Sequence, residues 1–337
     1  MKAAWYERQG PAREVLVVGE LEDPVPGARE VRIRIAASGI NPGDVKKRQD
    51  AFGYGMSYPR VIPHSDGAGV IDRIGSGVPA ERIGERVWCY GAQSYRPFGT
   101  AAEFVVITSR QAIALPASAS FAQGACLGIP AITAHRAVHV AGPVEGTTVL
   151  VQGGGGAVAD CAIALARHAG ARVLAIARSD AGAAAAARAG ANDVFRADHE
   201  DRDALVARIR AAAPRHVVEV DLAAGIELDE AALPLGGTIA AYASSDASPA
   251  IPFWPLLFKN ISVHFLGSDD FPAPAKDAAA AAINAALASG WPGFRIAHRL
   301  PLTAIAEAHE LVERGRLAGR VVLDVADLAE ANDCHVE

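Results

Sequence analysis

A chain of 337 residues with 51% hydrophobic and 21% charged side chains carries enough apolar material for two packed domains and is not composed like a disordered protein. Its net charge of −6, with no basic clusters, argues against nucleic acid as the main partner. No window approaches the roughly 18 uninterrupted apolar residues of a membrane span, and the opening MKAAWYERQG has no signal-peptide core, so cytoplasmic residence is expected.

Before residue 120, short β-rich segments (EVRIRIAASGI, GAGVIDRIG, GERVWCYG, AAEFVVIT) are separated by Gly and Pro turns, the pattern of a compact antiparallel barrel. From 121 to about 270 helices alternate with the strands RVLAIA, NDVF, VVEV, TIAAYA and ISVHFLG, which predicts a parallel doubly wound sheet. An Ala-rich helix (AKDAAAAAINAALASG), a short strand near FRIAH, the helix TAIAEAHELVERG and a final strand RVVLDV follow. Cys89, Cys126, Cys161 and Cys334 form no C-x-x-C pair and read as free thiols.

Residues 149–159 read VLVQGGGGAVA, a run of β-formers opening into four glycines and then an Ala-rich helix. Gly153, Gly156 and Ala159 keep a G-x-x-G-x-x-A spacing that lets a strand turn tightly into a helix while the backbone approaches a ligand. Val158, Ala162, Leu165 and Ala169 recur at helical spacing, Gly170 closes the helix, and Arg172–Ala177 is the next strand. This βαβ unit would turn a helix N-terminus, with its unpaired N–H groups and dipole, toward a dinucleotide pyrophosphate.

An NAD site usually places Asp or Glu at the end of the second strand, to accept from the ribose 2′-hydroxyl. Here that position is Ala177, followed by Arg178 and Ser179. A guanidinium and a hydroxyl can donate to a 2′-phosphate where an acid would repel it, so the expected cofactor is NADPH. The competing roles are a solvated arginine and the N-cap of the helix DAGAAAAARAG.

The ordered series SGINPGD (38–44), IPHSDGAGVI, GTAAEFVV, LGIPAITA, the glycine loop, FKNISVHFLG and LAGRVVLDV (317–325) resembles the zinc-independent, zeta-crystallin-like quinone reductases of the medium-chain dehydrogenase/reductase superfamily. The resemblance implies a GroES-like barrel of residues 1–124 and 271–337, a Rossmann NADPH-binding domain of residues 125–270, and an active site in the cleft between them. Where the zinc-dependent branch has its metal ligands, this chain has Asn41, Ser65 and about Ile129, so no metal is expected; His64, one residue early, lacks a cysteine partner. Hydride from the nicotinamide then suits quinones or conjugated enones, whose reduction needs only hydrogen-bond donors and a proton.

The resemblance also places Asn41 and the segment 44–54 along the substrate pocket. Asn41 can serve the nicotinamide side, the substrate oxygen, or simply a turn before Pro42. Lys46 and Phe52 stand where relatives often carry tyrosines; Lys46 is either an oxyanion donor or a surface charge beside Lys47 and Arg48, and Tyr54 is a replacement phenol. The candidate cofactor contacts are Asn41, Thr133, Gly153, Gly155, Gly156, Ala157, Val158, Arg178 and Ser179. Tyr242, Ala243, Ser244, Leu266, Gly267 and Ser268 join them, since they lie just past C-terminal strand ends, where open parallel sheets bind ligands. His135 reads as helix packing, and Arg196 and Arg316 are secondary phosphate candidates. Expected partners are a quinone or enone substrate and a second copy of the chain, joined through the edge strand at 261–265. Two alternatives are a 2-alkenal (activated C=C) reductase and, in a different class, a structural or RNA-binding role like those of some zeta-crystallin relatives; the acidic balance counts against RNA.

Overall fold

A computed structural model describes residues 1–199, 201–315 and 317–328, so Arg316 and Cys334 lie outside the described residues. The chain divides into two units, Met1–Ile129 with Pro292–Glu337, and Pro130–Trp291.

The first unit opens with an antiparallel ribbon of β1 (Lys2–Trp5) and β2 (Val17–Glu20), joined through the helical turn α1 (Ala12–Val15). It continues through β3 (Glu30–Gly39), α2 (Pro42–Gln49), β4 (Asp66–Ile74), β5 (Arg86–Cys89), β6 (Phe104–Thr108), β7 (Ala112–Ala114) and the turn α3 (Phe121–Gly124). The second unit runs from α4 (Ile129–His139) through β8 (Thr148–Gln152), α5 (Ala157–His168), β9 (Arg172–Ala177), α6 (Asp180–Ala189) and β10 (Asp193–Arg196). It is completed by α7 (Arg202–Ala211), β11 (His216–Glu219), α8 (Leu222–Ala232), β12 (Thr238–Ala241), α9 (Phe253–Phe258), β13 (Ser262–Phe265) and α10 (Ala273–Ala288). The chain then returns to the first unit as β14 (Ile296–Pro301), α11 (Ile305–Arg314) and β15 (Arg320–Asp324).

The first unit's main sheet has seven strands in the order β14-β15-β3-β4-β5-β7, with β6 also paired to β3. All its pairings are antiparallel except that of β14 with β15. Long β3 is its spine: Val31, Ile33 and Ile35 face a core completed by Ile71, Val87 and Ile107. The second unit holds six parallel strands in the order β10-β9-β8-β11-β12-β13, a doubly wound sheet whose strand order reverses beside β8. Its helix α10 packs on α5, so the return crossing falls at Trp291 and Pro292, later than the 270/271 boundary read from the sequence. On α5 the fully buried positions include Ala159, Ala162, Ile163 and Ala166, with Val158 and Ala169 only half-buried, because the helix meets α6 and α10 as well as the sheet.

A buried hydrogen-bond chain ties the returning segment to the first half of its unit. Thr100 Oγ1 donates to the carbonyl of Asp66 at 2.6 Å, so it must accept from Ser38 Oγ at 2.8 Å. Ser38 in turn accepts from His64 Nδ1 at 2.8 Å, which leaves His64 Nε2 to accept from His309 Nε2 at 2.9 Å. At the far end Arg48 Nε donates to His309 Nδ1 at 3.3 Å. Both ends force the same direction, so each tautomer is fixed and both imidazoles are neutral. Burial drives the His64 imidazole down to about 3 and holds His309 well below the ordinary range. His64 is thus committed on both nitrogens, and it adopts φ 77°, a left-handed conformation that needs such support. Arg48, named from sequence only as a neighbour of Lys46, is fully buried and also bonded to Gly10 and Glu313.

Replacing His309 with Leu would orphan Arg48 Nε and His64 Nε2, and should cost about 1–3 kcal/mol for each buried group left unpaired, as read by urea unfolding at pH 7. Because the folded-state values are depressed, the wild type should lose stability as pH falls from about 6.5 toward 3, and His309→Leu should show a shallower loss.

Candidate active site

Within the first unit, Asn41 precedes α2 and is 3% exposed. Its backbone N–H donates to Asp44 Oδ2 at 2.8 Å, closing the first turn of the helix, while its side chain turns away from that helix. Asn41 Oδ1 accepts from Arg320 Nη2 at 2.6 Å, and Asn41 Nδ2 donates to Asp66 Oδ2 at 2.7 Å. Arg320 also donates to the carbonyl of Ile40 at 2.9 Å, and Asp66 accepts from the backbone N–H of Ile129 at 2.9 Å. The amide is therefore held in one orientation by a cation on its oxygen side and a carboxyl on its nitrogen side. Burial pushes the Asp66 carboxyl up to about 7, against the lowering effect of the Asn41 and Ile129 donors. Sequence reading singled out Asn41 alone; Asp66 lay inside a quoted motif and Arg320 in the last strand, with nothing local to link them.

The donor set here does not fit zinc. Asn41 is engaged on both sides, Ser65 offers one buried hydroxyl with no partner, and Ile129 offers an N–H already given to Asp66.

Lys46 and Tyr54 are exposed, Tyr54 at 86%. They share one contact: the Phe52 ring stacks on Tyr54 with centroids 6.1 Å apart and lies 5.9 Å from Lys46 Nζ.

Within the second unit the glycine turn leaves β8 and enters α5. Gly153 and Gly155 have φ 74° and 93°, and a Cβ on Gly155 would lie 2.6 Å from the Cα of Gly182 at the start of α6. Gly156 is the N-cap of α5 and has no side chain to satisfy the following N–H groups of Ala157 and Val158. Asp160 Oδ1 accepts from the Gly155 N–H at 2.8 Å and fixes the turn from within. A bare backbone turn ending in an uncapped helix N-terminus fits the pyrophosphate of a dinucleotide.

At the end of β9, Ser179 caps α6 by accepting from the Gly182 N–H at 3.1 Å, so that alternative role is the one observed. Arg178 is exposed and, among the described residues, engaged in no ion pair. Arg196 is held by Asp180 and by Asp198 at 2.7 Å, and its guanidinium is thereby committed to carboxylates. Thr133 is buried on α4, and the His135 ring lies tilted against His139 with centroids 4.5 Å apart. Tyr242, Ala243 and Ser244 follow β12, and Leu266, Gly267 and Ser268 follow β13, all at the C-terminal edge of the parallel sheet. The Tyr242 hydroxyl points into the protein and has no hydrogen-bond partner.

Residues 27–117 match the alcohol dehydrogenase GroES-like domain and residues 157–280 a family described as zinc-binding dehydrogenase. Human (Homo sapiens) quinone oxidoreductase is 30% identical over 327 residues, 94% of this chain and 95% of the human protein. The mouse (Mus musculus) quinone oxidoreductase is 38% identical over 192 residues, a match that spans 56% of each chain. A mycobacterial protein solved in complex with NADPH superimposes with a TM-score of 0.81 over 96% of this chain and 99% of its own, at 24% identity.

Gly155→Ala should force the turn away from Gly182 and cost about 1–3 kcal/mol of stability or more, with dinucleotide affinity reduced in parallel. Denaturant unfolding and a cofactor titration on the same preparation check both.

Proposed function

The chain belongs to the zeta-crystallin-like quinone oxidoreductase branch of the medium-chain dehydrogenase/reductase superfamily, and on that premise we propose that it is a cytoplasmic, NADPH-dependent, zinc-independent reductase of quinones or conjugated enones. The observation that carries this reading is the bare glycine turn over α6, joined to a strand end that has Arg178 and no acid. Gly153, Gly155 and Gly156 would let the backbone close on the pyrophosphate, Ala157 and Val158 would hold it by backbone N–H groups, and Arg178 would hold the 2′-phosphate. Thr133 and the backbones of Tyr242–Ser244 and Leu266–Ser268 would wall the nicotinamide. When bound, NADPH supplies a hydride equivalent.

The protein's own part is to place and neutralise. Arg320 and Asp66 hold the Asn41 amide so that one Nδ2 hydrogen is used internally and the other is left for an acceptor oxygen on which negative charge develops. The stacked Phe52 and Tyr54 rings supply aromatic surface for a flat acceptor, with Lys46 beside them as a cation. With the Asn41, Ser65 and Ile129 donor set unsuited to zinc, the acceptor must be electron-poor from the outset.

We further propose a homodimer built on β13. This strand is the edge of the parallel sheet, and the neighbouring α9 exposes Trp254 at 63% and Phe258 at 71%, while Phe265 on the strand is exposed at 72%.

Arg178→Ala should weaken NADPH about 10- to 150-fold, the worth of one charge-assisted hydrogen bond, and leave NADH nearly unchanged in a fluorescence titration. NADPH oxidation should proceed with 1,4-benzoquinone or an enone, survive chelator treatment, and fall in Asn41→Ala more in kcat than in NADPH affinity. Faster oxidation of ethanol than reduction of either acceptor would contradict the proposed reaction. Val263→Pro removes a backbone donor from the edge strand and should give monomer or aggregate by light scattering.

A further inference from the structure

Two buried carboxyls, Glu219 and Asp229, take no part in the chemistry above. Glu219 ends β11 at 1% exposure, and Asp229 lies on α8 fully buried. One oxygen of each is satisfied: Glu219 Oε1 accepts from the Asp221 N–H at 2.6 Å, and Asp229 Oδ1 accepts from Gln152 Nε2 at 2.8 Å. Among the described residues no donor reaches the other two, Glu219 Oε2 and Asp229 Oδ2.

The two carboxyls meet over one turn of α8. Glu219 Oε2 rests on Gly225, where an added Cβ would lie 1.9 Å away. Asp229 stands four residues further on, and helical side chains lean toward the N-terminus, which brings its carboxyl over the same turn. The groups acting on the pair are Gln152 from β8, Asp221 from the turn after β11, and the buried Tyr242 phenol from beyond β12. Asp160 and Cys161 of α5 lie behind that phenol, and no cation is among these groups. Burial first, and then the facing charge of its partner, hold the Glu219 proton far above the ordinary carboxyl range. A single proton between the two would satisfy both unpartnered oxygens in one O–H···O⁻ bond.

The pair is wired to the loops at the sheet edge. Through the Asp221 N–H, Glu219 sets the turn after β11, and the Asp221 carboxylate accepts from the Ser245 N–H at 2.7 Å and the Ser245 hydroxyl at 2.8 Å. The Tyr242 N–H donates to the Glu219 carbonyl at 3.2 Å and the Leu222 N–H to the Ala243 carbonyl at 3.1 Å. We propose that Glu219 and Asp229 are positioning residues that share one proton, and that this proton fixes, through Asp221 and Ser245, the Tyr242–Ser244 loop against which the nicotinamide cofactor binds. The last step rests on the cofactor reading above.

The test compares wild type, Glu219→Ala and Glu219→Gln from pH 6 to 10, by thermal unfolding without cofactor and by NADPH titration. Gln keeps an oxygen for the Asp221 N–H and brings a permanent N–H for Asp229 Oδ2, so it replaces the shared proton with a group that does not titrate. The folded wild type binds more protons than the unfolded chain, so its stability should fall as pH rises through this range, and Glu219→Gln should flatten that fall. Glu219→Ala should lose about tenfold or more in NADPH affinity at pH 7, and Glu219→Gln should restore it and hold it at alkaline pH where the wild type weakens. Asp229→Asn is a second, independent replacement if Glu219→Gln fails to fold. Identical pH slopes in wild type and both replacements would overturn the shared proton. Slopes that differ while NADPH affinity is the same in all variants would overturn the link to the loop. A wild type that binds no NADPH would overturn the cofactor reading and the loop's role with it, while the cofactor-free slopes still decide the proton.

Discussion

The second unit depends on one close approach, the passage of the β8–α5 turn over the start of α6. At Gly155 the backbone comes so near Gly182 that no side chain fits on the near side of the contact, and the turn needs φ values that glycine alone adopts without strain. That contact fixes where α5 begins, hence where its uncapped N–H groups point, and brings the end of β9 beside them. Asp160 takes the Gly155 N–H and the Gly153 carbonyl takes that of Gly156, so the remaining donors come from Ala157 and Val158.

Much of this was legible because it is written in local periodicity. The β9 strand runs over the six residues RVLAIA, and the βαβ unit around the glycines needed only alternation, helical spacing and turn chemistry. The sites that were not legible depend on partners far away in the chain. Arg48 sits among Lys46, Lys47 and Gln49 and looks solvated, but its partner His309 is 261 residues on. Asn41 looked like a turn residue with a possible role, and only the pairing of β15 with β3 brings Arg320 against its amide. Nothing in the local sequence singles out Glu219 or Asp229, since nothing short-range reports that α8 lies over the sheet at that point. Ser179 could be read either way from sequence, and the observed cap leaves Arg178 as an exposed cation at that strand end, felt electrostatically by the Asp221 carboxylate.

A metal ion would concentrate positive charge at one point, and the Asn41 network spreads it instead. Arg320 brings a full charge to the amide oxygen, Asp66 opposes it from the amide nitrogen, and the Ile129 N–H adds a dipole at the start of α4. Such an arrangement orients a neutral donor without acting as a strong Lewis acid. On the proposed function it would suit acceptors whose own electron deficiency lowers the barrier, and would give little help in taking a proton from a saturated alcohol.

The hydrogen-bond chain from Arg48 to the Asp66 carbonyl also sets an order of assembly. Its members come from residues 38 to 100 and from residue 309, and the sheet it lies under takes strands from both ends of the chain. The intervening unit, 130–291, is continuous and holds its whole parallel sheet within its own residues. During synthesis it can therefore close first, while the Ala37–Gly39 end of β3 waits unpaired until β15 emerges. The rest of that edge, Glu30–Arg34, is already taken by β6, so the stretch left open to wrong pairing while the middle of the protein is made is the short segment Ala37–Gly39.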